Sequence, residues 1–74
     1  RGAAFEMGVL SVGMQLESNA IAYFTSAARD ADEGEVRGFY QFLADWEKEH
    51  LEALERLYNG VRQDFWAESG FAPF

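Results

Sequence analysis

Apolar residues recur along the first third of the chain at helical spacing. Leu10, Met14, Ile21, Phe24 and Ala28 are separated by four, seven, three and four residues, which lines them along one face of a helix. The pattern predicts a first helix from about Phe5 to Arg29. Gly8 and Gly13 fall inside it, each at a cost of about 1 kcal/mol relative to alanine. They are either tolerated there or mark the close approach of another helix. The run from Asp30 to Gly34 (DADEG) is the one turn-rich break in the first 58 residues. Asp32, followed by Glu35, has the spacing of a capping box in an acidic form. A second helix is predicted from about Glu35 to Tyr58. Its stripe is Val36, Phe39 or Tyr40, Leu43, Leu54, and Leu57 or Tyr58. Asn59-Gly60 reads as its stop. Residues 61–74 form an aromatic tail carrying Phe65, Trp66, Phe71 and Phe74, expected to hold a short helical piece and to pack back on the rest. Pro73 blocks helix continuation there. The whole chain, 1–74, reads as one all-α helical hairpin domain.

Such a hairpin has a problem of surface. Two helices of 25 residues are each ~37 Å long, whereas a compact chain of this size has a radius of gyration of ~11 Å. Phe42, Trp46 and Ala53 lie off the main stripe of the second helix, so apolar surface extends past one partner. Two hairpins packed as a four-helix bundle solve this, and the chain is expected to be a homodimer or a larger homo-oligomer.

Composition narrows the partners. At 74 residues the chain is about half a typical domain. With 49% hydrophobic and 16% aromatic residues it is too apolar to be disordered. It has no cysteine, hence no disulfide, iron–sulfur cluster or thiolate zinc site. A chain this small is then stapled by an oligomer interface or by a metal held through oxygen and nitrogen. Six basic residues against 13 acidic, net -7, argue against nucleic acid and anionic membrane as partners. No apolar run approaches the ~20 residues of a membrane span, and no signal peptide is visible; a cytoplasmic location is expected. The sequence opens at Arg1 without an initiator methionine and reads as a piece of a longer chain.

Three polar residues interrupt the apolar rows. Glu17 falls on the row Leu10, Met14, Ile21, Phe24. Glu47 and His50 fall on the row Tyr40, Leu43, Leu54. A carboxylate among core residues is costly unless paired or bound to metal. With Asp32 at the middle of the turn, Glu17 lies 15 residues before it and Glu47 lies 15 after it. An antiparallel hairpin sets the two side by side, ~22 Å from the turn. His50 is three residues beyond Glu47, one turn along the same face. One hairpin thus offers Glu, Glu and His at one height, and two hairpins about a two-fold axis offer four Glu and two His. That is the donor set of a carboxylate-bridged di-metal centre. Imidazole with carboxylates favours iron, manganese or zinc over calcium or magnesium. The competing reading is a satisfied core histidine with both glutamates reaching solvent.

The runs ESNAIAYFTSAA (Glu17–Ala28) and FLADWEKEHLEALERLY (Phe42–Tyr58) resemble the first and second helices of the rubrerythrin-like members of the ferritin-like superfamily. The likeness covers roughly residues 7–60 and includes the Glu17-to-Glu47 interval and the Glu47-x-x-His50 motif. It implies a di-iron protein: two iron ions per dimer site, with Glu17 as terminal carboxylate, Glu47 as bridge and His50 as nitrogen ligand, and no catalytic residue beyond these ligands. Family members usually carry both halves in one chain. This chain has one half, as in the encapsulated ferritins, which build their site across a dimer. Many rubrerythrins carry a tyrosine seven residues after the first ligand, where this chain has Phe24, with Tyr23 beside it. Without cysteine the chain also lacks a rubredoxin-like iron, which implies an external electron donor; the encapsulated group adds a compartment shell as a partner. The implied activity is oxidation of ferrous iron by dioxygen or peroxide. The alternative is a structural module that oligomerises with zinc or with no metal.

The remaining features have plainer readings. Tyr40, seven residues before Glu47 and on its face, is within reach of a ligand carboxylate or is core packing. Trp46 and Tyr58 read as interface or core aromatics. Lys48–Glu52 and Glu52–Arg56 have i,i+4 spacing and suggest a solvated face. Asp30, Asp32 and Gly34 do not make a calcium loop: the glycine is one place early, and no Glu stands at position twelve.

Overall fold

A computed structural model describes residues 2–68 and Gly70. Two helices, α1 (Ala3–Asp30) and α2 (Gly34–Glu68), run antiparallel and pack against each other. The hairpin measures 55 × 20 × 16 Å, with a radius of gyration of 16.7 Å. It is the rod that the helix lengths require.

The ends of α1 are closed by the backbone. Gly2 is the N-cap, and its carbonyl accepts from the N–H groups of Phe5 and Glu6 at 3.2 and 3.3 Å. Glu6 and Arg29 lie in the first and last turns, each opposing the partial charge of its helix end. The turn is residues 31–33. The Arg37 guanidinium reaches back from the first turn of α2 and donates to the Ala31 carbonyl at 2.6 Å. The predicted capping box at Asp32 is not formed. The Glu33 carbonyl accepts the first α2 bond, from Arg37 N–H at 2.9 Å, which puts the cap position one residue later. The Arg37 side chain closes the turn instead.

The predicted stop at Asn59-Gly60 is overturned: α2 continues through it to Glu68. The reason lies in the apolar row. Leu54, Tyr58, Val61 and Phe65 follow one another at four, three and four residues, and all four are half-buried. Their packing outweighs the roughly 1 kcal/mol that a helical glycine costs. The glycine that does take the left-handed conformation is Gly70, φ 72°, whose N–H bonds to the Ala67 carbonyl at 3.1 Å. Residues 61–68 of the predicted tail are therefore the last two turns of α2. Phe71, Pro73 and Phe74 lie outside the described residues.

The seam between the helices is thin. Among the described residues only Ala3, Ala28 and Ala44 are buried. Around them Leu10, Met14, Ile21 and Phe24 of α1 and Tyr40, Leu43, Leu54 and Tyr58 of α2 are half-buried. Phe24 stacks on Tyr40, ring centroids 6.2 Å apart. Of the alternatives left open by periodicity, Tyr40 and Tyr58 turn inward, while Phe39 and Leu57 are exposed. Gly13 faces α2: a Cβ built there would lie 3.4 Å from Leu54 Cδ1, whereas one at Gly8 would meet nothing within 4 Å.

Each helix also carries a second apolar stripe, left exposed. On α1 it is Phe5, Val9, Val12, Leu16 and Tyr23; on α2 it is Phe39, Phe42, Trp46 and Leu57. At 3.6 residues per turn each stripe is rotated from the seam by about a third of a turn, in the same sense. Two antiparallel helices facing each other are related by a two-fold axis, so equal rotations bring both stripes to one side of the hairpin. The other side is polar, with a groove lined by Thr25, Arg29, Arg37, Gln41, Asp45 and Lys48. There Lys48 pairs with Asp45 at 3.6 Å, not with the predicted Glu52. Among the described residues no helix is long and apolar enough to cross a membrane.

The continuous helix makes a prediction of opposite sign to the helix-stop reading. Gly60 is exposed and helical, and a Cβ there would meet nothing within 4 Å. Gly60→Ala should raise the stability measured in urea by about 1 kcal/mol. A glycine holding a left-handed stop would instead lose stability on the same change.

Candidate metal centre

The three residues on core rows meet. One ligand atom from each of Glu17, Glu47 and His50 lies within 4.8 Å of the other two. His50 Nδ1 is 3.7 Å from Glu17 Oε2 and 3.7 Å from Glu47 Oε1. The contact arises from two separate spacings. Helical geometry brings Glu47 and His50 together at i,i+3, and the turn brings Glu17 across from Glu47 at equal distance from its centre.

The site is partly dry. Side-chain exposure is 15% for Glu47, 24% for Glu17 and 44% for His50. Glu17 Oε2 is buried without a hydrogen-bond partner, and leaving such an acceptor unsatisfied is expensive. The Glu17 carboxyl titrates above its ordinary value of 4.5. The main cause is the neighbouring Glu47, to which protonated Glu17 can hydrogen-bond. Burial and repulsion from the Glu47 charge add to it, and His50 pulls the other way.

This is how a cation site looks from its protein side. Two carboxylates and one imidazole nitrogen converge, one oxygen is left unsatisfied, and among the described residues no Lys or Arg side chain pairs with them. Ligand atoms sharing one divalent ion at about 2.1 Å stand roughly 3–3.5 Å apart, within small side-chain adjustments of the observed separations. The donor set fits iron, manganese or zinc. His50 is the most exposed of the three, and it opens toward the side that carries the two apolar stripes.

Tyr40 packs its ring on Phe24 and also lies 6.2 Å from Phe39; among the described residues no hydrogen bond joins its hydroxyl to either carboxylate. Trp46, read from the sequence only as an interface or core aromatic, has its ring centroid 4.7 Å from that of His50, tilted by 60°. The i,i+4 spacing of Trp46 and His50 was the signal for this contact. Comparison with protein-family models, curated proteins and solved structures finds no match to this chain.

The raised Glu17 titration has a sign that can be checked on metal-free protein. A carboxyl whose folded-state value lies above its unfolded one contributes stability that is fully present below the ordinary 4.5 and is lost as pH rises through the folded value. Glutamine mimics the protonated form at every pH. In the presence of a chelator, the melting temperature of Glu17→Gln should match that of the parent at low pH and rise above it as pH increases from 4.5. A difference independent of pH would mean that Glu17 does not feel Glu47 in the folded chain.

Proposed function

We propose that this chain is a metal-binding subunit of a non-haem di-iron protein. Two hairpins join through their apolar sides as a ferritin-like four-helix bundle and together oxidise ferrous iron with dioxygen or peroxide. The observation that carries the reading is the convergence of Glu17, Glu47 and His50 around an unsatisfied buried oxygen. Three ligands on one chain leave a site open, and the two-fold partner supplies the other three.

Surface area supports the partner. The chain exposes 5482 Å², against about 4,600 Å² for a typical folded monomer of this mass. The excess of about 900 Å² follows from the elongated shape, and it is similar to what one partner contributes to an interface of standard size, ~800 Å². The exposed stripes are apolar, and Arg29, Arg37, Asp45 and Lys48 line the groove on the opposite side. His50 is at the edge of the apolar side, so closure over that side also closes the site.

In this reading Glu17, Glu47 and His50 would hold the metal, with Glu47 the carboxylate expected to be shared and His50 offering Nδ1, the nitrogen already turned toward both carboxylates. The bound metals supply the redox chemistry. The protein holds four carboxylates against their mutual repulsion and excludes water from the centre. The likeness of Glu17–Ala28 and Phe42–Tyr58 to the rubrerythrin-like helices supports iron over zinc. These 74 residues hold no cysteine, so electron delivery falls to a donor outside them.

Three measurements test this. Light scattering at micromolar concentration should give at least twice 8.4 kDa; a folded helical monomer would sink the bundle. Chelation should lower the melting temperature and ferrous iron restore it, because a ligand of the folded dimer stabilises it by mass action. Glu47→Ala should abolish oxygen consumption with ferrous iron while the dimer stays folded, since one substitution removes two shared ligands. Glu49→Ala, on an exposed position two residues away, should leave it intact. Iron oxidation that survives Glu47→Ala would refute the site. Zinc bound without any oxidation would favour the structural module.

A further inference from the structure

We infer that Trp46 is a positioning residue for the metal centre: its indole holds the His50 ring so that Nδ1 faces the two carboxylates. The inference rests on the reading of Glu17, Glu47 and His50 as ligands. It adds a residue that none of the ligand spacings required.

The geometry leaves His50 with few constraints of its own. Its side chain is 44% exposed, and its Nδ1 stands 3.7 Å from each carboxylate, beyond hydrogen-bond range. Attraction to the carboxylates therefore orients the ring only loosely. The close packing contact is the Trp46 indole, centroids 4.7 Å apart and tilted by 60°, a separation at which aromatic rings attract. Trp46 lies one turn before His50 on α2, so a rigid helix carries the contact. Glu47 lies between them in sequence and approaches the imidazole from the seam. The imidazole is thus bracketed, with carboxylates at Nδ1 and indole against the ring.

The consequence concerns the neutral imidazole. A free neutral histidine can carry its proton on either nitrogen. A ring held with Nδ1 toward two carboxylates keeps the proton on Nδ1 in the metal-free chain and presents that same nitrogen when a metal replaces the proton. If Trp46 sets the orientation, losing the indole frees the ring to turn, and the proton preference goes with it.

The test uses three variants. Trp46→Leu keeps an apolar side chain and removes the aromatic ring; Trp46→Phe restores a ring. Phe42→Leu alters an exposed aromatic on the same side, among whose ring contacts His50 does not appear. The first readout is the nitrogen NMR signature of the His50 tautomer in chelated protein, at a pH where the ring is neutral. The parent, Trp46→Phe and Phe42→Leu should keep the proton on Nδ1, and Trp46→Leu should lose that preference. The second is cobalt(II) affinity from its absorption spectrum, at concentrations where mass measurement shows equal assembly. Trp46→Leu should bind about tenfold or more weakly, the usual scale for a residue that orients a ligand, and Trp46→Phe should recover most of it. An unchanged tautomer in Trp46→Leu would overturn the inference, as would an equal loss in Phe42→Leu. If the parent binds no cobalt, the ligand reading fails, while the tautomer result still decides what Trp46 does to His50.

Discussion

The register of the hairpin is set in residues 31–33, and the rest of the molecule depends on it. A turn this short leaves little freedom to slide one helix past the other. Arg37 narrows that freedom further by bonding the first turn of α2 to the Ala31 carbonyl. Residues equally far from the turn then lie side by side. Phe24 meets Tyr40 eight residues out, and Glu17 meets Glu47 fifteen residues out. A slip of one residue would rotate each helical position by about 100° and would separate the two carboxylates. The candidate centre is therefore a product of the turn as much as of its ligands.

The thin seam explains why the molecule is two-sided. Three alanines are the only buried residues among those described. Small residues let the backbones approach but contribute little apolar burial of their own. Each helix then has a second apolar stripe, and both fall on the same side because the helices are antiparallel. The polar groove with Arg29, Arg37 and Lys48 occupies the other side. That segregation is what supports the proposed second copy: one side carries charged groups and the other exposed apolar stripes.

The centre lies where these two features cross. Glu17 and Glu47 sit in the seam, and His50 stands at the edge of the apolar side. Their grouping costs the metal-free chain an unsatisfied oxygen and a carboxyl pushed upward in titration. Natural sequences pay for such local conflicts mostly at functional sites. Among the described residues, Glu17 Oε2 is the one buried side-chain polar atom left without a hydrogen-bond partner.

Helix type, helix count and the grouping of Glu17, Glu47 and His50 were legible in the sequence, because helical periodicity and equal distances from a single turn are properties of spacing alone. The inner row of α1 and the meeting of Glu17, Glu47 and His50 follow from them directly. Three features were decided only by tertiary packing. Gly60 stays helical because Leu54, Tyr58, Val61 and Phe65 continue one apolar row through it, and a local stop signal does not count those contacts. Tyr40 and not Phe39, and Tyr58 and not Leu57, turn inward because adjacent positions differ by about 100° and only the true axis of approach selects between them. The Trp46 contact with His50 needed actual side-chain directions, since i,i+4 spacing permits a meeting but does not require one. Spacing determines which residues share a face; where that face points is settled by what packs against it.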